Sequence, residues 1–187
     1  MLGRMDEAMV EIEIAQQLDP LSPILREGRG FLFMLSRRYD EAIEEYRQML
    51  ELDCFFYKAF TAMGRAYTQK GMYEEAITML QKGRSLSGDI PNILGALGQT
   101  YALASRPAEA RRLFEELSEL AKRRHVPSSC FALIHLGLGE KERALEWLEG
   151  GCQRRELPMV ALKVHPAYDD LRGESRFQAL LGKIGLL

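Results

Sequence analysis

The sequence predicts an all-α solenoid of stacked helix hairpins, on three observations. The outline of "RRYDEAIEEYRQML" at residues 37 to 50 returns as "GMYEEAITMLQKGR", "RPAEARRLFEEL" and "EKERALEWLEGG". Ala8, Ala42, Ala76, Ala110 and Ala144 stand 34 residues apart, each directly preceded by a charged residue. Between these segments a small residue precedes an aromatic or histidine by three, and a chain-breaking position follows four later. A unit of this kind cannot bury its apolar face alone, so it must stack on its neighbours.

Each element follows from that register. Residues 1 to 22 fit only the second half of a unit, through Gly3, Ala8, Ile12, Ala15 and Pro20, and predict a lone second helix. Residues 23 to 56 form a full unit with Gly30, Phe33, Arg37, Ala42 and Tyr46, and residues 57 to 90 repeat it with Gly64, Tyr67, Gly71, Ala76 and Leu80. In residues 91 to 124 the same places hold Gly98, Tyr101, Ser105, Ala110 and Phe114. In 125 to 156 they hold Ala132, His135, Gly139, Ala144 and Leu148. Small residues let crossing helices approach to about 8 Å, and the aromatic three residues on fills the adjacent hollow.

The register ends after Ala144, since the residue 34 beyond it is Gln178. Residues 157 to 187 therefore read as a cap. Ser175 is placed to cap a helix running to about Lys183, whose stripe of Phe177, Leu180, Leu181 and Ile184 would cover the last repeat. Arg172 and Arg176 are expected to pair locally with Asp169 and Asp170.

Composition narrows the function classes. The chain has 187 residues, 47% apolar and 28% charged, with a net charge of −2, so no bulk attraction to nucleic acid or anionic membrane is expected. The longest apolar run, Cys130 to Leu138, is interrupted by His135, well short of the roughly 20 residues that a spanning helix needs. The N-terminal "MLGRMDEAMVEIE" carries acids where a secretory signal carries an apolar core, which predicts a cytoplasmic chain. Cys54, Cys130 and Cys152 are odd in number and widely spaced, as reduced structural thiols would be. His125, His135 and His165 lack metal-ligand spacing, so neither a metal nor a cofactor is expected. Cys130 and His135 fall roughly 140° apart on a helix, the wrong geometry for a catalytic dyad, and a non-enzymatic chain is expected.

At the repeat positions the chain resembles the tetratricopeptide repeat family over residues 1 to about 156. Departures lie at Cys54, Gly88 and Lys122, where the family usually has proline, and at Met49, Gly83, Leu117 and Gly151, where it favours alanine. The resemblance implies a right-handed array and a role in protein-protein interaction. The tail, with "ALIHLGLGEKERALEWLE", resembles the ends of repeat arrays in bacterial multidomain regulators. That implies an alternative role as a regulatory or oligomerisation module of a larger signalling enzyme or transcription regulator.

Stacked hairpins curve and present their first helices on a concave wall. Positions 2, 5, 9 and 12 of each repeat share one helix face and are expected to line that groove. The first helix supplies Ile24, Glu27, Phe31 and Met34, and the second Lys58, Thr61, Arg65 and Thr68. The third supplies Asn92, Gly95, Gln99 and Ala102, and the fourth Val126, Ser129, Leu133 and Leu136. The predicted trough, on the order of 30 Å long, would hold about nine extended residues of a partner protein or peptide. Glu27 and Phe31 stand where some members of the family use lysine and asparagine to hold a C-terminal carboxylate, which argues against a ligand of that kind. A second surface is expected on the lone N-terminal helix, where Val10 and Ile14 suggest a homodimer.

Overall fold

The computed structural model describes residues 4 to 20 and 22 to 186. Every regular element among these residues is helical. The chain divides into two units, Met1–Gly88 and Asp89–Leu187.

The first unit contains α1 (Met5–Leu18), α2 (Pro23–Leu35), α3 (Tyr39–Leu52), α4 (Tyr57–Gln69) and α5 (Tyr73–Ser87). Glycine positions show why the hairpins close. A Cβ on Gly30 of α2 would lie 2.6 Å from Tyr46 of α3, and one on Gly64 of α4 would lie 2.5 Å from Leu80 of α5. The large second-helix side chain thus occupies the space that the small residue leaves. Ala42 and Ala76 are fully buried at these crossings. Ala8, the register's first member, is only half-buried where α1 packs on α2.

The second unit contains α6 (Pro91–Leu103), α7 (Pro107–Ala121), α8 (Ser128–Gly137) and α9 (Lys141–Gln153). Two 3-10 turns follow, Leu157–Ala161 and Pro166–Leu171, and then α10 (Ser175–Lys183). Phe177 at 0% exposure, with Leu180 and Leu181, seals a core shared with Leu148, Leu162 and Leu171. Two local expectations for this segment are corrected. Ser175 is the first helical residue and not its cap: Glu174 holds the cap position without a side-chain bond. Arg172 does pair with Asp169, at 2.6 Å, but Arg176 reaches across to α9, bonding Glu149 through Nε and Nη2 and Glu142 through Nη1.

The turns inside the hairpins share one geometry. Arg37, Gly71, Ser105 and Gly139 all take left-handed backbone, with φ of 60°, 76°, 59° and 76°. In each case the next residue's N–H bonds the carbonyl five residues back, namely Phe33, Tyr67, Tyr101 and His135. This closure satisfies carbonyls that the end of the first helix would leave open. The residue carrying each accepting carbonyl is the one in the aromatic slot.

Candidate functional site

In the first unit, α2 and α4 carry the outer positions of the expected groove. Ile24 stands 78% exposed at the start of α2. One turn on, Glu27 faces Lys58 of α4 across 3.8 Å, both side chains about half-exposed. Phe31 and Arg65 are half-buried on the same two helices. Tyr46 reports on their proximity: burial drives its hydroxyl pKa far above the usual tyrosine range, Glu27 raises it further, Arg65 opposes and Glu45 adds a smaller push. Glu27 and Arg65 therefore both act on the space around Tyr46.

Other expected groove residues serve the fold. Thr61 donates its hydroxyl to the Tyr57 carbonyl and lies against Gly83 of α5, where an added Cβ would come within 2.9 Å of its oxygen. Met34 and Thr68 are buried, and the Thr68 hydroxyl bonds the Gly64 carbonyl within α4. In the second unit Gln99, Val126 and Leu133 are buried as well. Leu133 packs in the core with Leu145 and Leu148 of α9, and Gln99 lies where α6 comes close to α8. A Cβ on Gly95 would lie 2.8 Å from Cα of Cys130, and one on Gly137 would lie 2.7 Å from the Gln99 carbonyl oxygen. Met34, Thr68, Gln99, Val126 and Leu133 are thus buried in this structure, where Ile24, Glu27 and Lys58 are open to solvent. Asn92 stays exposed, with its side-chain oxygen accepting the Cys130 thiol at 3.4 Å.

Two clusters have no counterpart in the sequence reading. Glu45 of α3 is buried between Arg29, at 3.1 Å, and Arg26, at 3.7 Å, and Arg26 also donates to Gln48 at 2.6 Å. The signal for it was Arg26 and Arg29 one turn apart on α2. In the second unit Phe131 stacks on Trp147 at 4.2 Å, and Phe114 meets both rings and His135 edge-on. His135 Nδ1 lies 2.7 Å from Glu140. Burial raises the Glu140 pKa, but the His135 bond, its charge and those of Arg143 and Arg111 outweigh that and hold the carboxyl below its usual range. His135 is thus occupied by a ring contact and a carboxylate, and Cys130 by Asn92.

Among the described residues no set of His, Cys, Asp or Glu is placed to hold a metal, and no helix is long and apolar enough to cross a membrane. Cys54, Cys130 and Cys152 are free thiols.

Hairpins closed by left-handed turns of one geometry define a helical repeat fold, and known proteins agree. The sequence profile of the tetratricopeptide repeat matches residues 59–85. Human tetratricopeptide repeat protein 13 is 32% identical over 100 residues, 54% of this chain and 12% of that protein. The TPR repeat-containing thioredoxin TDX of Arabidopsis thaliana is 30% identical over 115 residues, 62% of this chain and 30% of that protein. The chain spans less than a third of the length of these curated relatives. Among solved structures, a thermophilic TPR protein of Thermus thermophilus superposes with a TM-score of 0.66 at 19% identity, covering 96% of this chain and 92% of that one. YrrB, described as a TPR protein with an unusual peptide-binding site, gives 0.54 at 18% identity, covering 94% and 91%. The fold is that of the tetratricopeptide solenoids, and residues 59–85 match the repeat itself.

Proposed function

We propose that this chain holds an apolar, acid-bearing peptide or helix of a partner protein on the face that α2 and α4 present in the first unit. The observation that carries the reading is the exposed Ile24 and half-buried Phe31 on α2, with Lys58 of α4 3.8 Å from Glu27 between them and Arg65 further along α4. An apolar anchor next to two cations suits a partner segment with a hydrophobic residue and a carboxylate. The Lys58–Glu27 pair is half-solvated and contributes only about 0–1 kcal/mol, so a partner's acid can displace Glu27 at small cost. The solved relative described as peptide-binding shares the fold at an identity that supports no residue transfer. Capture of partners from host lysate, followed by titration of the recovered protein against parent and Lys58→Glu/Arg65→Glu chains, tests the reading. The double reversal should weaken binding and flatten its salt dependence while helicity is retained. Unchanged affinity would place the site elsewhere.

A second contact, of the chain with its own copy, is proposed for α1. Val10, Ile14 and Leu18 are 54%, 49% and 84% exposed at i, i+4 and i+8 on one face. The alternative of a regulatory module in a larger signalling enzyme or transcription regulator rests on the resemblance of the tail alone.

A further inference from the structure

The C-terminal end of the second unit has a hollow of about 420 Å³, within the range of small-molecule sites. Its wall is apolar, made by Leu157, Met159, Val160, Ile184 and Leu186 together with the Cys152 thiol. Two of these side chains are left in water, Leu157 at 81% and Val160 at 52% exposure. Arg155 and Lys183 also line it.

The charge balance at this hollow is one-sided, because the acids nearest it are engaged elsewhere. Glu149 accepts Nε and Nη2 of Arg176 on its two oxygens, each at 2.7 Å. Glu156 accepts the Ser128 N–H at 2.7 Å, the Ser128 hydroxyl at 3.0 Å and Arg154 Nε at 2.9 Å. Arg176 dominates the lowering of the Glu149 pKa, burial opposes it, and Lys183 adds only a charge effect from further away. Among the described residues neither Arg155 nor Lys183 closes a side-chain ion pair. An apolar hollow with two cations in its lining that no described carboxylate pairs is complementary to a molecule with an apolar body and one anionic end.

We propose that this hollow binds a free medium-chain carboxylate, with the acyl chain against Leu157, Met159, Val160 and Ile184 and the carboxylate held by Arg155 and Lys183. The same chemistry is found at the aliphatic C-terminus of a polypeptide, but the wall favours the acyl chain. Buried peptide N–H and C=O groups need partners, and among the described residues the lining offers only the two cations, the weakly polar Cys152 thiol and Glu156, whose oxygens are already taken. Methylene groups need none, and each gains from leaving water.

Cys152 gives a local readout. Burial first, then Glu156 and Glu149, pushes its thiol above the usual range, so alkylation is run at alkaline pH and followed residue by residue by peptide mass mapping. Exposed Cys54 and buried Cys130 serve as references. The probe is decanoate, held below its self-aggregation concentration, beside decanol and acetyl-Leu-Leu with a free carboxylate. Decanoate should slow Cys152 alkylation about fivefold or more at saturation and leave Cys54 unchanged. Decanol should need about tenfold more ligand for the same protection, the loss of one charge-assisted contact. Arg155→Gly/Lys183→Gln should remove the preference for decanoate over decanol. Arg155 has φ 54°, a backbone that glycine takes without strain, so helicity should survive; Lys183→Gln alone repeats the comparison at an exposed position. The proposal is overturned if decanoate gives no protection, if decanol protects equally well, if the double variant keeps the carboxylate preference, or if acetyl-Leu-Leu protects where decanoate does not.

Discussion

Glu156 closes the first turn of α8 from 28 residues away: its Oε2 accepts the backbone N–H of Ser128 at 2.7 Å and its Oε1 accepts the Ser128 hydroxyl at 3.0 Å. Pro127 occupies the cap position and supplies no side-chain bond, so the acid past the end of α9 provides what the local sequence lacks.

Removing this carboxylate should be costly. Glu156 is buried, and Glu156→Ala leaves the Ser128 N–H without an acceptor, an expected loss of about 2–3 kcal/mol in urea unfolding. The effect should depend on pH. Burial raises the Glu156 pKa, but the Ser128 and Arg154 bonds and the Arg154 charge outweigh it, so the folded value lies below the ordinary one. A depressed carboxyl contributes stability above its unfolded pKa, about 4.3, and loses it as pH falls through the folded value. The gap between parent and Glu156→Gln should therefore be full at neutral pH and narrow in acid below that range. A gap of constant size would mean that the carboxylate's charge contributes nothing.

Ser105 should be improvable. Its φ of 59° matches the place that glycine holds in two of the other hairpin turns, at Gly71 and Gly139. Left-handed backbone costs a non-glycine residue about 1–2 kcal/mol, partly offset by the greater unfolded freedom of glycine. Ser105→Gly should raise stability by about 0.5–1 kcal/mol, read as a higher urea midpoint at unchanged m-value. A lower midpoint would show that the serine is making up the strain in another way.

The approach of α6 to α8 should depend on Gly95. A methyl group there would meet Cys130 at 2.8 Å from Cα and 3.0 Å from the carbonyl oxygen, atoms that move only with the backbone. Gly95→Ala should cost about 1–3 kcal/mol despite its better helix propensity. Melting like the parent would mean that the two helices tolerate separation, which would open the seam at Gln99.

The contrast between these positions shows what was legible. The helix pattern was legible because the 34-residue spacing repeats local information: a small residue, an aromatic slot, a turn and a buried alanine, each acting within one hairpin. Which first-helix side chains reach solvent was less so. Helical periodicity assigns a face, but whether that face is open depends on how near the next helix comes, and Gly95 and Gly137 bring α8 onto α6. Long-range acids were invisible for a similar reason. Nothing local distinguishes Glu156, which caps another helix, from the solvated glutamates around it, and Arg176 selected Glu149 on α9 over the aspartates nearest in sequence.

Helix α1 buries no residue completely. Its inner face, with Met5, Ala8, Ile12 and Ala15, is only half-covered by α2, although Ile12 reaches so close to Gly28 that an added Cβ would lie 2.7 Å away. Its outer face carries exposed Val10 and Ile14, where later second helices carry Glu44 and Gln48, or Thr78 and Lys82; Leu18 follows one turn on, at a place that Leu52 and Leu86 hold in later repeats. An apolar stripe one helix long is unfavourable in water, and the same stripe on a second copy is its natural cover when the two meet about a two-fold axis. Light scattering on a size-exclusion column at about 100 µM, where mass action favours weak association, should report a dimer. Val10→Glu with Ile14→Glu should return it to monomer, because pairing would then bury carboxylates without partners. Both side chains already face solvent, so the monomer's own stability should be little changed. A parent chain that elutes as a strict monomer at this concentration, with α1 amides as protected from hydrogen exchange as those of α3, would show that the stripe stays in water and would sink the idea.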